Sequence, residues 1–378
     1  MTKSGYSILI NQPRSSYFVG GAEMVSLEHA KHIADKGNDV TFVTIYPGSI
    51  NKEYSSQYLK LKTTHSNSIN FIEISQQNEA ISWYEIDPGE NRDRWNVESL
   101  YYNRSLFTFL ESLDKVYDIM ISYYKLDAII IPRDKIKSNV LYLCGTPQDN
   151  NIFMSSFLAM YDKVIAITDQ VMDYWQQYTS QIITVVATGV DINRFKPGQR
   201  GGERLKILFV GRLIERKGVD VLIEACSLLS DKIKKSISVT IAGAGPKIIE
   251  LEALVSKIGM KDTVSFIGNT DTPEKLMSMA DICVFPSSRG EGLQGVILES
   301  MASGSYVIAS DTDINRLLIG SDRGALINPS SPTDIAGAIT KAVTNNHKRI
   351  FASELAAEYV RMNYNWSDIV DDLLEKIK

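Results

Sequence analysis

Short apolar runs of strand length alternate with segments of helical periodicity along most of the chain. In the first half, the first helical segment, 22–37, places Met24, Leu27 and Ile33 on one face. Apolar runs that alternate with helices are typical of βαβ units and of a parallel sheet buried on both faces. The predicted strands of this half are 6–11, 39–46, 117–122, 139–144 and 163–168.

The second half repeats this alternation and predicts a second doubly wound sheet. Its predicted strands are 205–213, 238–245, 264–268, 282–287 and 306–310, with helices at 219–229, 246–259, 272–280 and near 294–303. The expected fold class is α/β, with two Rossmann-like parallel-sheet domains that face each other across a cleft. Residues 48–116 are less regular, polar and rich in tyrosine, and no function is assigned to them.

The joint between the predicted domains is the segment 195–205. It combines Pro197, three glycines and charged residues without apolar periodicity, as linkers do. We expect an N-terminal domain over 1–196, a C-terminal domain over 197–364, and a last helix at about 365–378 that packs back on the first domain. Two such sheets place a ligand between them, at the carboxyl ends of the strands.

Length and composition agree with two globular domains. The chain has 378 residues, 44% apolar and 22% charged, and a domain usually holds ~100–200 residues. The 40 basic and 45 acidic residues are spread evenly, with 19 basic and 22 acidic up to residue 200 and 21 and 23 after it. Neither half has the basic excess that nucleic acids attract, so no nucleic-acid partner is expected.

The cysteines and the apolar stretches indicate in which cellular compartment the protein acts. Cys144, Cys226 and Cys283 are odd in number, far apart and in apolar settings, so we expect no disulfides and a reducing cytoplasm. The first residues lack the apolar run of a signal peptide, and no stretch approaches the ~18 apolar residues of a membrane span. The sequence indicates a cytoplasmic protein, soluble or peripheral at the inner face of the membrane. It leaves the oligomeric state open.

The segment 291–304 combines two carboxylates with glycines at the start of a predicted helix. Gly292 and Gly295 let a ligand approach the backbone, and amides at a helix N-terminus favour a phosphate. Glu299, about one turn further, can accept hydrogen bonds from paired hydroxyls such as those of a ribose. The alternative is a glycine turn before a surface helix with two solvated carboxylates. The amides concerned belong to Leu293, Gln294, Gly295 and Val296, and the carboxylates to Glu291 and Glu299.

The segment 211–218 follows the first predicted strand of the second domain. Arg212 offers a forked donor for phosphate oxygens and Lys217 a point charge, so the two side chains could neutralise a leaving diphosphate. The alternative is a charged surface turn.

Gly20 and Gly21 occupy the first strand-to-helix turn of the first domain, followed by Ala22 and Glu23. Such a turn presents backbone amides to a ligand. Glycines also occur there to let a strand and a helix pack closely, so this signal is weak when taken alone.

In this order and spacing, the three motifs resemble those of the family 4 glycosyltransferases, the large retaining family with the GT-B fold. The resemblance covers most of the chain. The matching segments are GGAE (20–23), TGVDINRFKPG (188–198), GRLIERKG (211–218), AGAGP (242–246), ADICVFPS (280–287), and the Glu291 and Glu299 pair followed by MASG (301–304).

The resemblance implies a hexosyltransferase-type enzyme that transfers a sugar from a UDP- or GDP-linked donor to a glycan, lipid-linked or small-molecule acceptor. It implies retention of anomeric configuration by front-face attack, with the leaving phosphate accepting the acceptor's proton. The sugar-containing acceptor, for which a membrane-borne molecule is one option, belongs to the first domain. No cofactor and no metal are expected, because two fixed cations do the work of a divalent ion.

The resemblance also assigns residues. Arg212 and Lys217 contact the donor diphosphate, Glu291 binds the donor sugar hydroxyls, and Glu299 binds the ribose. The backbone of Leu293 to Val296 binds the phosphates, and Gly20, Gly21 and Gly292 are further donor-binding residues. Arg212, Lys217 and Glu291 are the candidate catalytic residues.

The chain departs from the family pattern at several positions. Where members commonly carry a histidine in a His-Gly-Thr run, it has Cys144, followed by Gly145 and Thr146. None of the four histidines offers Cys144 an obvious base, so Cys144 is interpreted as a packed or acceptor-side thiol, with Thr146 as a second acceptor-side candidate. Gln294 replaces a common glycine, and residues 312–316 replace a glycine-rich loop, which bears on donor sugar specificity.

Other patterns are interpreted as structural. Asp311 and Asp313 form an Asp-x-Asp sequence, but the motifs around them need no metal. Residues 243–248 lack the third glycine of a dinucleotide fingerprint. His29 and His32 lack further ligands and are expected to be a solvated or capped pair. The aromatic stripe in 94–113 is expected to be core rather than a membrane contact.

Two alternative functions remain open at this point. A GT-B sugar-nucleotide epimerase would use the same phosphate groove without an acceptor, and a catalytically silent partner subunit would keep nucleotide binding alone. The sequence leaves the nucleotide base, the sugar and the acceptor undetermined.

Overall fold

The computed structural model describes residues 5–18, 20–76, 92–123, 131–146, 154–288 and 295–378, and only the backbone of 92–100. The chain folds into two compact units. Unit 1 comprises Met1–Thr188 and Trp366–Lys378, and unit 2 comprises Gly189–Asn365. The chain therefore passes between the units twice.

Unit 1 contains a parallel sheet with helices between its strands. The strands are β1 (Ser7–Asn11), β2 (Asp39–Ile45), β3 (Ile69–Ile74), β4 (Tyr117–Ser122), β5 (Ile136–Leu143), β6 (Lys163–Ala166) and β7 (Ile183–Val185). The helices before the crossing to unit 2 are α1 (Gly21–Asp35), α2 (Ser56–Thr64), α3 (Arg92–Glu111), α4 (Met154–Leu158) and α5 (Asp169–Gln176), with a 3-10 turn at Pro47–Ile50.

The strand order of this sheet is β3-β2-β1-β4-β5-β6-β7, and the paired strands are parallel. The order reverses between β1 and β4, where Ile8 lies opposite Val40 on one side and Ile119 on the other. Ile8 and Ile10 of β1 join one hydrophobic cluster, and Leu9 joins another. Both faces of the sheet are therefore buried, which accounts for the continuous apolar runs in the sequence.

Unit 2 repeats the architecture. Its strands are β8 (Leu205–Val210), β9 (Ile237–Ala242), β10 (Val264–Gly268), β11 (Ile282–Phe285), β12 (Tyr306–Ser310) and β13 (Gly324–Ile327). Its helices are α6 (Val219–Ser227), α7 (Asp231–Ser236), α8 (Ile248–Lys257), α9 (Pro273–Met279), α10 (Gly295–Ala302), α11 (Asp313–Ile319), α12 (Pro332–Thr344) and α13 (Asn346–Asn363), with a 3-10 turn at Glu215–Lys217. The parallel sheet has the order β10-β9-β8-β11-β12-β13, which reverses between β8 and β11.

The predicted α/β fold with two doubly wound sheets is confirmed, but three strands were not predicted. The apolar run of β3 is interrupted by Asn70 and Glu73, and the Glu73 carboxylate accepts hydrogen bonds from the hydroxyls of Tyr54 (2.6 Å) and Tyr58 (2.8 Å). β7 has three residues and β13 begins with a glycine. Short or interrupted apolar runs of this kind give little periodic signal.

The aromatic stripe lies on α3, within the segment 48–116, whose sequence shows little regular periodicity. Within the part of this helix whose side chains are described, Tyr102, Leu106 and Leu110 are buried, so this stretch packs into the core as expected. No helix in the described ranges is long and apolar enough to cross a membrane. The three cysteines do not form disulfides.

The expected domain boundary at 196–197 is corrected to 188–189. Val190 and Phe195 are buried in the core of unit 2, and the Val190 amide donates to the carbonyl of Tyr364 at 2.7 Å. Further along, the Arg200 Nε donates to the carbonyl of Ala280 at 2.8 Å. The segment 195–205 therefore begins as a packed part of unit 2, although its composition is that of a linker.

The last helix, α14 (Trp366–Ile377), belongs to unit 1. Its buried face joins the same hydrophobic cluster as α1, and it includes Trp366, Val370 and Leu373. Lys36, the C-cap residue of α1, donates to the hydroxyl of Ser367 at 3.2 Å and forms a 2.7 Å ion pair with Asp371. Burial of this apolar face stabilises the return of the chain to unit 1.

Candidate functional site

The reversal of strand order in unit 2 brings the ends of β8 and β11 side by side. Ile207 and Leu208 of β8 lie opposite Ile282 and Cys283 of β11. In parallel α/β sheets, ligands bind outside the carboxyl ends of the strands at such a reversal. The segment 211–218, which follows β8, is itself a motif predicted to bind the donor. Residues 286–288 follow β11 and precede the predicted motif at 291–304.

The segment after β8 is fixed to the segment after β9 by backbone hydrogen bonds. The amide of Gly211 donates to Ala242 O at 3.0 Å, and that of Leu213 to Ala244 O at 2.9 Å. A β-carbon on Gly243 would lie 1.8 Å from the carbonyl oxygen of Gly211. The glycine at 243 thus allows two backbones to meet, which explains the AGAGP turn without a dinucleotide.

The same segment also holds the chain that follows β11. The amide of Ser288 donates to the carbonyl of Arg216 at 2.7 Å. Gly218, with a φ of 63°, lies so close to Pro286 that a β-carbon would be 2.2 Å from its carbonyl oxygen. Residues 286–288 are therefore fixed beside the segment that carries Arg212 and Lys217.

Arg212 and Lys217 sit at opposite ends of this short segment. Arg212 is exposed, and Lys217 is partly buried at the end of the 3-10 turn Glu215–Lys217. Leu213 between them is fully buried and anchors the segment in the core of unit 2. The structure thus holds both cations at the carboxyl edge of the sheet.

The third predicted element begins at α10. Gly295 and Val296 form its first turn, and Glu299 is partly buried one turn later. The helix is anchored by Ile297 and Leu298, which are fully buried. The other predicted donor residues of this motif, Glu291, Gly292, Leu293 and Gln294, lie outside the described residues.

The end of β12 supports the segment after β11 from its other side. The hydroxyl of Ser310, which is fully buried, donates to the carbonyls of Ser287 at 2.6 Å and Phe285 at 3.2 Å. The side-chain amide of Asn315 in turn donates to Ser310 O at 2.8 Å. Ser310 gives no signal in the sequence, since a single serine after an apolar strand belongs to no motif.

The carboxylates of Asp311 and Asp313 form ion pairs with one arginine. Arg316 Nε lies 2.6 Å from a carboxylate oxygen of Asp311, and its Nη1 lies 2.9 Å from Asp313. The hydrogen bond from this guanidinium lowers the pKa of Asp311. The Asp-x-Asp sequence is therefore an intramolecular ion-pair network in the segment that replaces a glycine-rich loop.

In unit 1, Gly20 and Gly21 form the start of α1, at the carboxyl end of β1. A β-carbon on Gly20 would lie 2.5 Å from an Oε of Glu23, the third residue of the helix. The Glu23 carboxylate thus folds back over the first turn, where it interacts favourably with the helix dipole. Gly21 has open space around its α-carbon.

Cys144 and Thr146 lie in the turn that follows β5, also at the carboxyl edge of this sheet. Cys144 is partly buried against the core, whereas Thr146 is exposed. Burial, with a smaller contribution from the Glu23 carboxylate, raises the pKa of the Cys144 thiol well above its usual value. A protonated thiol is a poor nucleophile, so the geometry favours the interpretation of Cys144 as a packed side chain.

The expectation that His29 and His32 form a solvated pair is wrong for His29. This side chain is fully buried, its Nδ1 lies 2.6 Å from the hydroxyl of Tyr123, and its ring contacts Tyr142 and Trp366. Burial, with a smaller contribution from His32, lowers the pKa of His29 to about 3. The period of α1 places residue 29 on its apolar face, and tertiary packing decides its environment. Across the residues that the structure describes, no group of side chains could hold a metal ion.

Comparisons with known proteins show which family and which fold this chain resembles. Residues 191–360 match the family model described as glycosyl transferases group 1. A D-inositol 3-phosphate glycosyltransferase from Corynebacterium jeikeium is 31% identical over 58% of this chain and 58% of its own length. A GDP-mannose-dependent alpha-(1-6)-phosphatidylinositol monomannoside mannosyltransferase from Mycobacterium tuberculosis is 26% identical over 50% and 54%. This chain thus aligns with less than two thirds of the length of these relatives.

Solved structures resemble the whole chain. Anabaena HepE in complex with UDP and glucose superposes with a TM-score of 0.74, at 16% identity and 98% coverage of both chains. Sucrose-phosphate synthase from Thermosynechococcus elongatus gives a TM-score of 0.77, at 18% identity and 97% coverage of both chains. The chain has the GT-B fold, and its residues 191–360 match the glycosyl transferases group 1 family model.

Proposed function

We propose that this protein is a retaining, metal-independent glycosyltransferase. It moves a hexosyl group from a UDP- or GDP-linked sugar to a sugar-containing acceptor, which is a glycan, a lipid-linked glycan or a small molecule. The observation that carries this proposal is the backbone connection between residues 211–218 and 286–288, through Ser288 and Gly218. It holds the segment with Arg212 and Lys217 beside residues 286–288, which precede the predicted phosphate-binding residues 293–296 in the sequence.

The chemistry of transfer fits these segments. When the anomeric C–O bond breaks, negative charge develops on the leaving diphosphate, and fixed positive groups lower the barrier. Arg212 supplies a bidentate donor and Lys217 a point charge. The first amides of α10 add the positive end of a helix dipole, at Gly295 and Val296. The acceptor's proton passes to the leaving phosphate, so no side-chain base is required.

Metal independence is part of the same proposal. A divalent ion would neutralise the diphosphate, and Arg212 and Lys217 provide that charge in its place. The pairing of Asp311 and Asp313 with Arg316 supports this proposal, since it ties up the carboxylates that resemble a metal-binding sequence.

The remaining site residues have proposed roles in binding. Glu299, on the second turn of α10, binds the ribose hydroxyls, and Glu291 binds the donor sugar. Gly20 and Gly21 approach the donor from unit 1, and the turn with Cys144 and Thr146 contributes to the acceptor site. The family match over unit 2 supports the assignment of the donor to that unit.

The relatives support the choice of donor and acceptor class. One relative is named for GDP-mannose and for a phosphatidylinositol monomannoside, and one neighbour was solved with UDP and glucose. Both names contain a nucleoside diphosphate and a hexose, and the first also contains a sugar-bearing acceptor. The proposed place of action is the cytoplasm, including the inner face of the membrane.

Thermal-shift measurements with UDP, GDP, ADP and their sugars test this proposal. A ligand that binds the folded protein raises its melting temperature by mass action, so one nucleotide series should shift it selectively. Arg212→Ala should abolish most of this shift and reduce turnover strongly, whereas the unliganded melting temperature should stay within about 1–2 °C, because Arg212 is exposed.

A matched control is Arg361→Ala, which removes an exposed arginine from α13 of the same unit. It should leave both the ligand shift and the turnover unchanged. Near-normal transfer by the Arg212 variant would contradict the proposed role. An isomerised sugar nucleotide formed from the donor alone would indicate an epimerase, and tight nucleotide binding without transfer to any acceptor would indicate a silent subunit.

A further inference from the structure

One indole nitrogen fixes the turn that follows β5. Trp175 Nε1 donates a 2.9 Å hydrogen bond to the carbonyl oxygen of Gly145. Trp175 lies on α5, is 2% exposed and belongs to the core of unit 1. The bond therefore joins a buried, rigid side chain to the backbone at the centre of the turn 144–146.

The helix that carries this indole is itself fixed at both ends. The Thr168 hydroxyl caps the N-terminus of α5 by accepting from the amide of Val171 at 3.2 Å. At the other end, the Gln176 side chain donates to Gln181 O at 2.8 Å and accepts from the amide of Ile183 at 3.1 Å. Ile183 begins β7, so α5 is tied to the sheet, and the indole N–H has a defined position.

Apart from the packing of Cys144 against the core, the described residues place few other restraints on the turn. Thr146 is exposed, and a β-carbon on Gly145 would meet no atom within 4 Å. In the part of the chain that the structure describes, Gly145 makes no second hydrogen bond. One hydrogen bond contributes a net free energy of about 1 kcal/mol, so loss of the Trp175 bond should allow residues 144–146 to leave this conformation more often.

We propose that Trp175 is a positioning residue for the acceptor side of unit 1. By holding Gly145, it sets the orientation of the exposed Thr146 and of the packed Cys144 thiol. This inference rests on the proposed function, in which the turn contributes to the acceptor site. It assigns a role to an aromatic residue that contacts no reacting atom.

The chain contains its own reporter for this role. Cys144 lies in the turn and is partly buried, whereas Cys226 and Cys283 are fully buried in unit 2. In Trp175→Phe, which keeps an aromatic ring but removes the N–H donor, the alkylation rate of Cys144 by N-ethylmaleimide should rise about fivefold. That change corresponds to about 1 kcal/mol, the net worth of one hydrogen bond. Peptide mass spectrometry measures each cysteine separately.

Two variants separate this effect from general loss of stability. Trp366→Phe makes the same change at the other buried tryptophan of the described part of unit 1, on α14, and should leave the Cys144 rate unchanged. Replacement of Trp175 by β-(3-benzothienyl)alanine keeps the ring shape and replaces N–H by sulfur, so it should reproduce the fivefold increase even if Trp175→Phe folds poorly.

Kinetics connect the turn to the reaction. With methyl glycosides of glucose, mannose and galactose as acceptor probes, and the donor selected by the nucleotide panel, KM for the acceptor should rise about fivefold in Trp175→Phe. KM for the donor should stay unchanged. A wild-type protein that gives no nucleotide shift would contradict the proposed function and not the structural role.

The proposal is overturned if the Cys144 rate is the same in wild type and in both Trp175 variants. It is also overturned if Cys226 and Cys283 become reactive together with Cys144, since that indicates global loosening, or if donor and acceptor KM values rise in parallel.

Discussion

Gly218 and Pro286 meet backbone to backbone at the carboxyl edge of the unit 2 sheet, 68 positions apart in sequence. Because Gly218 has a φ of 63°, its side-chain direction points at the Pro286 carbonyl, and a β-carbon would lie 2.2 Å from that oxygen. Two independent requirements therefore select glycine here: a left-handed backbone and a close approach. This contact fixes the segment that carries Arg212 and Lys217 against residues 286–288, which follow β11.

Gly218→Ala should destabilise unit 2 and displace the segment 211–218. The left-handed conformation costs a β-carbon-bearing residue roughly 1–3 kcal/mol, and the contact with Pro286 adds to this. Urea unfolding should give a lower midpoint, and the nucleotide-induced thermal shift should decrease.

Gly337→Ala is the matched control for this substitution. Gly337 lies within α12 of the same unit, and a β-carbon there would meet no atom within 4 Å. Alanine should stabilise the helix by about 0.5–1 kcal/mol. If both variants unfold at the wild-type midpoint, the close approach at Gly218 does not constrain the fold.

Chelation should not affect turnover of the donor. Arg316 occupies Asp311 and Asp313, and its hydrogen bond holds the pKa of Asp311 below its usual value, so protons and metal ions both compete with a guanidinium there. Rates measured in EDTA and in Mn²⁺ should agree within error. Loss of turnover in EDTA that Mn²⁺ restores would refute the metal-independent mechanism.

Unit 1 should lose stability as the pH falls below about 6.5. Burial lowers the pKa of His29 from 6.5 to about 3, so the unfolded chain binds this proton and the folded one does not until the pH approaches 3. The stability from neutral His29 is present above pH 6.5 and is lost as the pH falls toward 3, at about 1.4 kcal/mol per pH unit.

Between pH 7 and pH 5, protonation of His29 in the unfolded chain should therefore lower the free energy of unfolding of unit 1 by about 2 kcal/mol. The four tryptophans all belong to unit 1 in sequence, so urea unfolding followed by their fluorescence measures this unit. His29→Gln should flatten the pH dependence, whereas His65→Gln, at a partly exposed position of the same unit, should preserve the wild-type slope. An unchanged slope in the His29 variant would assign the effect to other groups.

The return of the C-terminal helix should be needed for the stability of unit 1. Leu373 of α14 is fully buried in the cluster that α1 also lines, so Leu373→Ala should cost about 2–5 kcal/mol in tryptophan-detected unfolding. Glu375→Ala, on the exposed side of the same helix, should change stability by less than about 0.5 kcal/mol. Equal effects of the two variants would argue against docking of α14 in unit 1.

The candidate site is only partly accounted for by local motifs. Arg212, Lys217 and Glu299 were selected from short segments in which a glycine or a helix start accompanies a charge. Ser310 holds the backbone at Ser287, and Trp175 holds the backbone at Gly145. Neither residue belongs to a motif, since each acts on a residue that is distant in sequence.

The alternation of apolar runs and helical segments determined the two doubly wound sheets, because strands buried on both faces require continuous apolar sequence. The same local signals placed Arg212 and Lys217 directly after a strand. Where the chain crosses between the units was decided only in three dimensions, since Phe195 and the Val190 amide find their partners in unit 2. The burial of His29 and the pairing of Arg316 with Asp311 were likewise decided by which side chains packing brings together, a property that periodicity along the chain does not encode.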